Sequence, residues 1–201
     1  NFTMDDMEHI AEECRNRGVK SYLTVNTVVY DSDTELLHKI INRAKSAGIS
    51  AIISADMAAI LYARKIGQEV HISTQVNVAN TDAVRFYSQF ADVMVLAREL
   101  NMEQVKGITD AIEKEDIRGP YGERIRIEMF CHGALCMAVS GKCYMSLHQM
   151  NSSANRGACN QICRRAYTVT DKDTGQQLEV EDQYIMSPKD LKTIHFLNKM
   201  V

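Results

Sequence analysis

Four cysteines lie within one short stretch of the chain. Their spacing is C-x6-C-x15-C-x3-C, and they are Cys136, Cys143, Cys159 and Cys163. Thiolates are soft donors, and four of them can close a tetrahedral zinc site or hold an iron–sulfur cluster. The spacing therefore predicts a metal centre, with a set of reduced core cysteines as the alternative.

The cysteine-rich stretch is also cationic. Residues 129–170 contain no Asp or Glu, and their basic side chains are those of Lys142, Arg156, Arg164 and Arg165. A guanidinium binds phosphate or carboxylate through paired N–H donors. We therefore predict that the three arginines hold an anionic partner, with an ordinary solvated surface as the alternative.

The first 118 residues alternate short β-branched runs with segments of helical apolar spacing. The runs begin near Ser21, Ser50, Val70 and Val93, and a fifth begins near Ile125. This alternation predicts a parallel sheet with right-handed crossovers, and a (β/α)8 barrel and a doubly wound open sheet both fit it. Capping patterns predict helix starts at Thr3 with Asp6, Ser32 with Glu35, and Asn101 with Gln104.

Polar residues lie just past the predicted strands. They are Gln75 and Asn77 after the third strand, Arg98 and Glu99 after the fourth, and Glu128 and His132 at the fifth. Barrel enzymes build their active sites from such positions. We therefore favour an α/β fold that is a partial (β/α)8 TIM-type barrel, because a complete barrel needs about 250 residues.

Some of these polar residues are suited to moving protons and others to binding substrate. Glu128 and His132 are candidates for general acid–base chemistry, and Glu99 is a further candidate. The predicted substrate-binding residues are Gln75, Asn77, Arg98, Arg156, Arg164 and Arg165. Structural ion pairs are the alternative for Glu128, Arg98 and Glu99. The histidines assigned to packing or to the surface are His38, His71, His148 and His195.

The chain is predicted to have two parts. Residues 1–130 form a truncated β/α barrel core, and residues 131–201 begin with a cysteine-rich insertion after the strand that ends near Phe130. Residues 167–170 and 177–180 are expected to pair as a hairpin. The sequence Ser187-Pro188-Lys189-Asp190 is typical of a helix start, here that of a further barrel helix.

Composition indicates a globular protein of the cytoplasm. Apolar residues make up 45% of the chain, yet no run of about 18 apolar residues is present. The first residues lack the basic and apolar regions of a signal peptide. In the cytoplasm cysteines stay reduced, which favours metal ligation over disulfides.

The sequence around the first two cysteines resembles that of a known family. Residues 128–136 read EMFCHGALC, and residues 141–146 read GKCYMS. They match every fixed position of the pattern E-x-F-x-x-G-[SA]-aliphatic-C-x4-G-x-C-x-aliphatic-S. This pattern is the signature of peptidase family U32, the collagenase-like peptidases, and residues 155–159 and 187–191 are similar to that family as well.

The resemblance implies a chemistry that the family name does not suggest. Better understood members are hydroxylation proteins, some acting on the wobble uridine of transfer RNA, with prephenate as the implied oxygen source. In them a TIM-type barrel carries a [4Fe–4S] cluster on four cysteines, which implies Cys136, Cys143 and Cys159 as ligands here. Many relatives have another cysteine ligand where this chain has Lys192, so Cys163 is the candidate for the fourth.

Three functions remain open from the sequence. The first, which we expect, is an iron–sulfur enzyme that hydroxylates transfer RNA with a small anionic cosubstrate. The second is a peptidase, although the sequence has no HExxH helix and no nucleophile elbow. The third is a non-catalytic module in which zinc staples a loop that binds RNA or protein. No oligomeric state and no membrane partner are predicted.

Overall fold

The structure is a computed structural model that describes residues 3–180 and 190–200. The chain divides into two compact units, Asn1–Met129 and Phe130–Val201. The helices of the first unit are α1 Met4–Asn16, α2 Thr34–Ala47, α3 Met57–Ile66, α4 Thr81–Tyr87 and α5 Met102–Glu115. Its strands are β1 Tyr22–Thr24, β2 Ala51–Ser54, β3 Val70–Ile72, β4 Val93–Val95 and β5 Arg126–Glu128.

The five strands of the first unit form one sheet in the order β1–β2–β3–β4–β5. Every neighbouring pair is parallel; in register, Ile52 lies beside Val70 and Val95 lies beside Glu128. The parallel α/β sheet predicted from the alternation is thereby confirmed, whereas a TIM-type barrel stays a prediction.

Apolar side chains from the sheet and the helices form the core of the first unit. The fully buried ones include Ile41, Ile52, Ile60, Ile72 and Met94. Burying a side chain of this size contributes about 1.5–3 kcal/mol to folding. Successive residues of a strand face opposite ways, so the strands also present a second face, away from this core.

Capping bonds define the ends of several helices. Thr3 and Asp6 form a reciprocal capping box at α1, and Asn101 and Gln104 form another at α5, as predicted. Gly48 ends α2 with a left-handed backbone conformation, φ 80°, which glycine adopts without steric cost. These signals fix where the helices begin and end, and hence where the strands enter the sheet.

The second unit contains one α-helix and two antiparallel strand pairs among its described residues. The helix is α6 Met145–Met150, and the strands are β6 His132–Gly133, β7 Tyr167–Thr170, β8 Gln177–Val180 and β9 Leu191–Lys192. Strands β7 and β8 form the predicted hairpin, and β6 pairs with β9. Residues 187–189 of the predicted helix start lie outside the described residues; where the chain is described again, residues 191–192 form the strand β9 and not a helix. Across the described part of both units, no helix is both long enough and apolar enough to cross a membrane.

Candidate functional site

The second unit holds the four cysteines of the predicted metal centre. Cys143 and Cys163 are partly buried, whereas Cys136 and Cys159 are exposed. All six cysteines of the chain are described, and each is a free thiol. The four candidate ligands are therefore not consumed in disulfides, and their sulfur atoms remain available to a metal.

Hydrogen bonds tie the segments that carry two of the cysteines to the 3-10 turn Ala154–Arg156 and to α6. The Cys143 N–H donates to Asn155 Oδ1 at 2.9 Å. The Asn160 N–H donates to the buried Ser146 Oγ of α6 at 3.2 Å. Cys159 is thus held next to α6 through its chain neighbour, and Cys143 lies just before the same helix.

Cys163 is electrostatically coupled to the other three thiols. Burial raises the pKa of the Cys163 thiol above its ordinary value, and the charges of Cys136, Cys159 and Cys143 raise it further. Coupling of this kind requires proximity, because charges near a surface are screened beyond about 10 Å. Cys163 therefore lies within range of each of the other three thiols, and a cation beside it would favour the thiolate form that burial and repulsion disfavour.

The donor set fits a soft metal, although its atoms do not converge on one point. Within residues 3–180 and 190–200, no three Cys, His, Asp or Glu side chains surround a single ion position. Four neighbouring thiols nevertheless supply the ligand chemistry of zinc or of an iron–sulfur cluster. Because Cys136 and Cys159 are exposed, their side chains can turn toward a metal without disturbing the core.

The three predicted anion-binding arginines differ in their surroundings. Arg164 is partly buried, and its Nη2 lies 2.7 Å from Asp190 Oδ1 and 3.5 Å from the Leu135 carbonyl oxygen. Arg156 and Arg165 are exposed. Arg156 and Arg165 are thus more exposed to an external anion than the partly buried Arg164.

In the first unit, the predicted polar residues follow three adjacent parallel strands. Gln75 lies in a 3-10 turn after β3, and Asn77 Nδ2 donates to its carbonyl oxygen at 3.0 Å. Arg98 and Glu99 follow β4, where Arg98 is partly buried and Glu99 is exposed. Glu128 is the last residue of β5. Since parallel strands end at a common edge, these positions share one edge of the sheet. His132 instead lies on β6 of the second unit, where it is exposed and pairs with Lys192.

Glu128 contacts a histidine that the sequence assigned to packing or the surface. His71 of β3 is 2% exposed, and its Nδ1 lies 3.4 Å from Glu128 Oε1. Its Nε2 lies 3.3 Å from Glu69 Oε1, and Arg126 Nη2 lies 3.5 Å from the same oxygen. The contact with His71 lowers the pKa of the Glu128 carboxyl, while partial burial opposes that shift.

Sequence reasoning missed this contact because His71 stands between two core residues, Val70 and Ile72. The available signal was the alternation through Glu69, His71 and Ser73, which places three polar residues on one face of the strand. Glu128 reaches the His71 face of the sheet because β4 and β5 follow β3 in the strand order, which the sequence alone does not give.

Comparison with known proteins places the chain in a family. The profile of peptidase family U32 matches residues 1–201. The chain is 66% identical over 201 residues to a collagenase of Porphyromonas gingivalis, an alignment that covers 100% of this chain and 49% of that protein. It is 32% identical over 208 residues to tRNA hydroxylation protein P1 of Bacillus subtilis, covering 100% and 47%. It is 35% identical over 189 residues to 23S rRNA 5-hydroxycytidine C2501 synthase of Escherichia coli, covering 94% and 27%.

The chain spans about half the length, or less, of these curated relatives. The family match nevertheless runs from the first residue to the last, across both units. It includes the cysteine-rich stretch and the five-stranded sheet, whose last strand β5 ends at Glu128. The chain therefore belongs to peptidase family U32.

Proposed function

We propose that this chain is the cysteine-bearing part of an enzyme that hydroxylates RNA with the help of a [4Fe–4S] cluster. The observation that carries the proposal is that Cys136, Cys143, Cys159 and Cys163 are four free thiols of one compact unit, in a stretch without acidic residues. The similarity to proteins named for tRNA and rRNA hydroxylation supports RNA as the substrate. Within that class we favour the wobble uridine of transfer RNA.

The cluster ligands in this proposal are the four thiolates of residues 136, 143, 159 and 163. When bound, a [4Fe–4S] cluster accepts or donates single electrons, which zinc cannot do. The chain's own contribution is to keep the four thiols close together on loops fixed to α6. The free protein disfavours the Cys163 thiolate, so cluster binding releases protons and becomes tighter as pH rises.

The anionic partner in this proposal is held by the exposed arginines of the same stretch. Arg156 and Arg165 offer guanidinium groups that suit the phosphates of RNA or the carboxylates of a cosubstrate such as prephenate. Glu128 is proposed as a proton-transfer group, because it ends β5 at the sheet edge shared with Gln75, Arg98 and Glu99 and its carboxyl is 44% exposed.

We propose further that the sheet is part of a TIM-type barrel. Its strand order follows the chain from β1 to β5, and every neighbouring pair is parallel. A doubly wound sheet reverses its order at a switch point, whereas a barrel proceeds in sequence. The observed order supports the barrel, in which β1 and β5 would each gain a second neighbouring strand.

Anaerobic reconstitution tests the proposed cluster. The full protein is purified without oxygen and analysed for iron, sulfide and visible absorbance. We expect about four iron atoms per chain, with loss of the absorbance band in Cys136→Ser, Cys143→Ser, Cys159→Ser and Cys163→Ser. Cys14→Ser is the matched control, because Cys14 lies on α1 of the first unit and should leave cluster content unchanged. Iron retained in all four variants, or zinc at one equivalent in its place, would overturn the proposal.

A peptidase is the second candidate, and the 66% identity to a protein named collagenase favours it. The candidate nucleophile of a peptidase is Cys131, which is exposed. Its carbonyl oxygen accepts from the Thr193 N–H at 3.1 Å and from the Thr193 hydroxyl at 2.7 Å, and these bonds hold its backbone in place. Cleavage of denatured collagen that disappears in Cys131→Ser but persists in Cys14→Ser would support this function. Equal cleavage by both variants would count against it.

A further inference from the structure

The buried His71 lies between two carboxylates on the face of the sheet opposite the core. Its chain neighbours Val70 and Ile72 are 1% and 0% exposed and belong to the core cluster. The imidazole itself has a side-chain exposure of only 3%. One ring nitrogen faces Glu69 and the other faces Glu128, so both polar atoms of the ring are directed at oxygens that only accept hydrogen bonds.

This arrangement cannot be satisfied by a neutral histidine and two ionised carboxylates. A neutral imidazole donates from one nitrogen and presents a lone pair at the other. A lone pair facing a carboxylate at 3.3 or 3.4 Å is repulsive. Within the described part of the chain, His71 Nδ1 makes no well-aligned hydrogen bond. Its 3.4 Å contact with Glu128 Oε1 is therefore favourable only when a proton lies between the two atoms. A proton placed between Nδ1 and Glu128 removes this conflict.

Other charged and aromatic groups of the neighbouring strands lie close to Glu69 and His71. Arg126 of β5 approaches Glu69 and offsets one of the two negative charges. From β1, the Tyr22 ring lies 4.8 Å from the His71 ring and adds no charge while its phenol is intact. Asp92, before β4, is 2% exposed; burial raises the pKa of its carboxyl, and the charge of Glu69 raises it further.

We propose that Glu69, His71 and Glu128 form an acid–base centre in which His71 positions Glu128 and shares a proton with it. Glu69 holds the imidazole by Nε2, which directs Nδ1 at Glu128. The Glu128 side chain is 44% exposed and is the member of the group that can reach a substrate. Glu128 removes a proton from a hydroxyl, an amide or water; the electron pair of the broken bond stays on the substrate, and the proton bonds to the carboxylate oxygen of Glu128 that does not face Nδ1.

The proposal is tested by a titration that requires neither a cluster nor RNA, so it fails or survives independently of the proposed function. Glutamate carboxyls of the full protein are labelled with carbon-13, and the signal of Glu128, identified by its absence in Glu128→Gln, is followed with pH. In His71→Gln we expect the midpoint of Glu128 to shift to higher pH, because its stabilising partner is gone. In the control His38→Gln the midpoint should not move, since His38 stacks on Tyr62 at 3.6 Å.

A second measurement covers the case in which His71→Gln does not fold. In Glu128→Gln, with the imidazole labelled with nitrogen-15, we expect the Nδ1 resonance to move while the Nε2 resonance, held by Glu69, moves less. The reverse pattern is expected in Glu69→Gln. A Glu128 midpoint that is the same in wild type and in folded His71→Gln, or ring resonances indifferent to both carboxylate variants, overturns the proposal.

Discussion

Cys163 differs from the other cysteines of its cluster in what surrounds its thiol. Its pKa is raised first by burial and then by the charges of Cys136, Cys159 and Cys143. Since the thiolate is the nucleophile, we expect metal-free protein to be alkylated at Cys163 only at higher pH than an ordinary thiol. Mass spectrometry of iodoacetamide-treated protein over a pH series measures this profile.

A variant separates the electrostatic contribution from burial. In Cys136→Ser one neighbouring charge is removed while Cys163 stays partly buried, so the midpoint of its alkylation profile should fall. In Cys14→Ser it should stay where it is in the wild type. Identical profiles in all three proteins would mean that burial alone acts on Cys163 and that its thiol is not a close neighbour of Cys136.

Single residues show where sequence reasoning succeeds and where it stops. Glu128 could be selected from the sequence because it ends an apolar strand within a recognisable motif. His71 could not be paired with it, since 57 positions separate them along the chain and their contact spans β4. That contact exists only because His71, Val93 and Arg126 lie side by side in the sheet register.

Among the elements, α5 owes its start to a reciprocal cap. Asn101 Oδ1 accepts from the Gln104 N–H at 2.9 Å, and Gln104 Oε1 accepts from the Asn101 N–H at 2.8 Å. Asn101→Ala removes the side-chain cap, and we expect the free energy of unfolding to fall by about 1 kcal/mol. Asn101→Ser keeps a capping oxygen and should lose much less. Urea denaturation measures both, and equal losses would show that the cap is not what stabilises this helix start.

The start of α2 shows why a local pattern can mislead. Ser32 with Glu35 matches a capping box in sequence, yet that prediction is wrong, because a 3-10 turn at Asp31–Asp33 precedes the helix. The Tyr30 N–H donates to Asp33 Oδ2 at 2.9 Å, and Asp33 takes the N-cap position. The helix therefore begins one residue later than the pattern predicts, because the 3-10 turn at Asp31–Asp33 includes Ser32.

At the scale of the whole molecule, strand order is the feature that local patterns leave open. The alternation of strands and helices predicted a parallel sheet, and that prediction is confirmed. It did not distinguish a barrel from a doubly wound sheet, because both obey the same right-handed crossover rule. The proximity of Cys163 to Cys136 is equally non-local, since 27 positions separate them along the chain and the path between them passes through α6.

Charge is distributed unevenly over the chain, and this leads to a prediction about RNA. Residues 129–170 contain no acidic residue, whereas the whole chain has a net charge of −3. If Arg156 and Arg165 contact phosphates, each contact releases counterions, so the logarithm of the binding constant falls linearly with the logarithm of salt concentration. Replacing both by Ala should weaken binding of transfer RNA and reduce that slope by about 1–2.

The control removes the same number of charges elsewhere. Arg17 and Lys20 are exposed in the first unit, outside the acid-free stretch, and Arg17 pairs with Glu13 at 2.9 Å. Arg17→Ala with Lys20→Ala lowers the net charge equally, so any general effect of charge on RNA binding appears in both double variants. Filter binding at several salt concentrations distinguishes them. A slope that changes only in the Arg156 and Arg165 variant assigns the phosphate contacts to the cysteine-rich stretch, and equal slopes would refute that assignment.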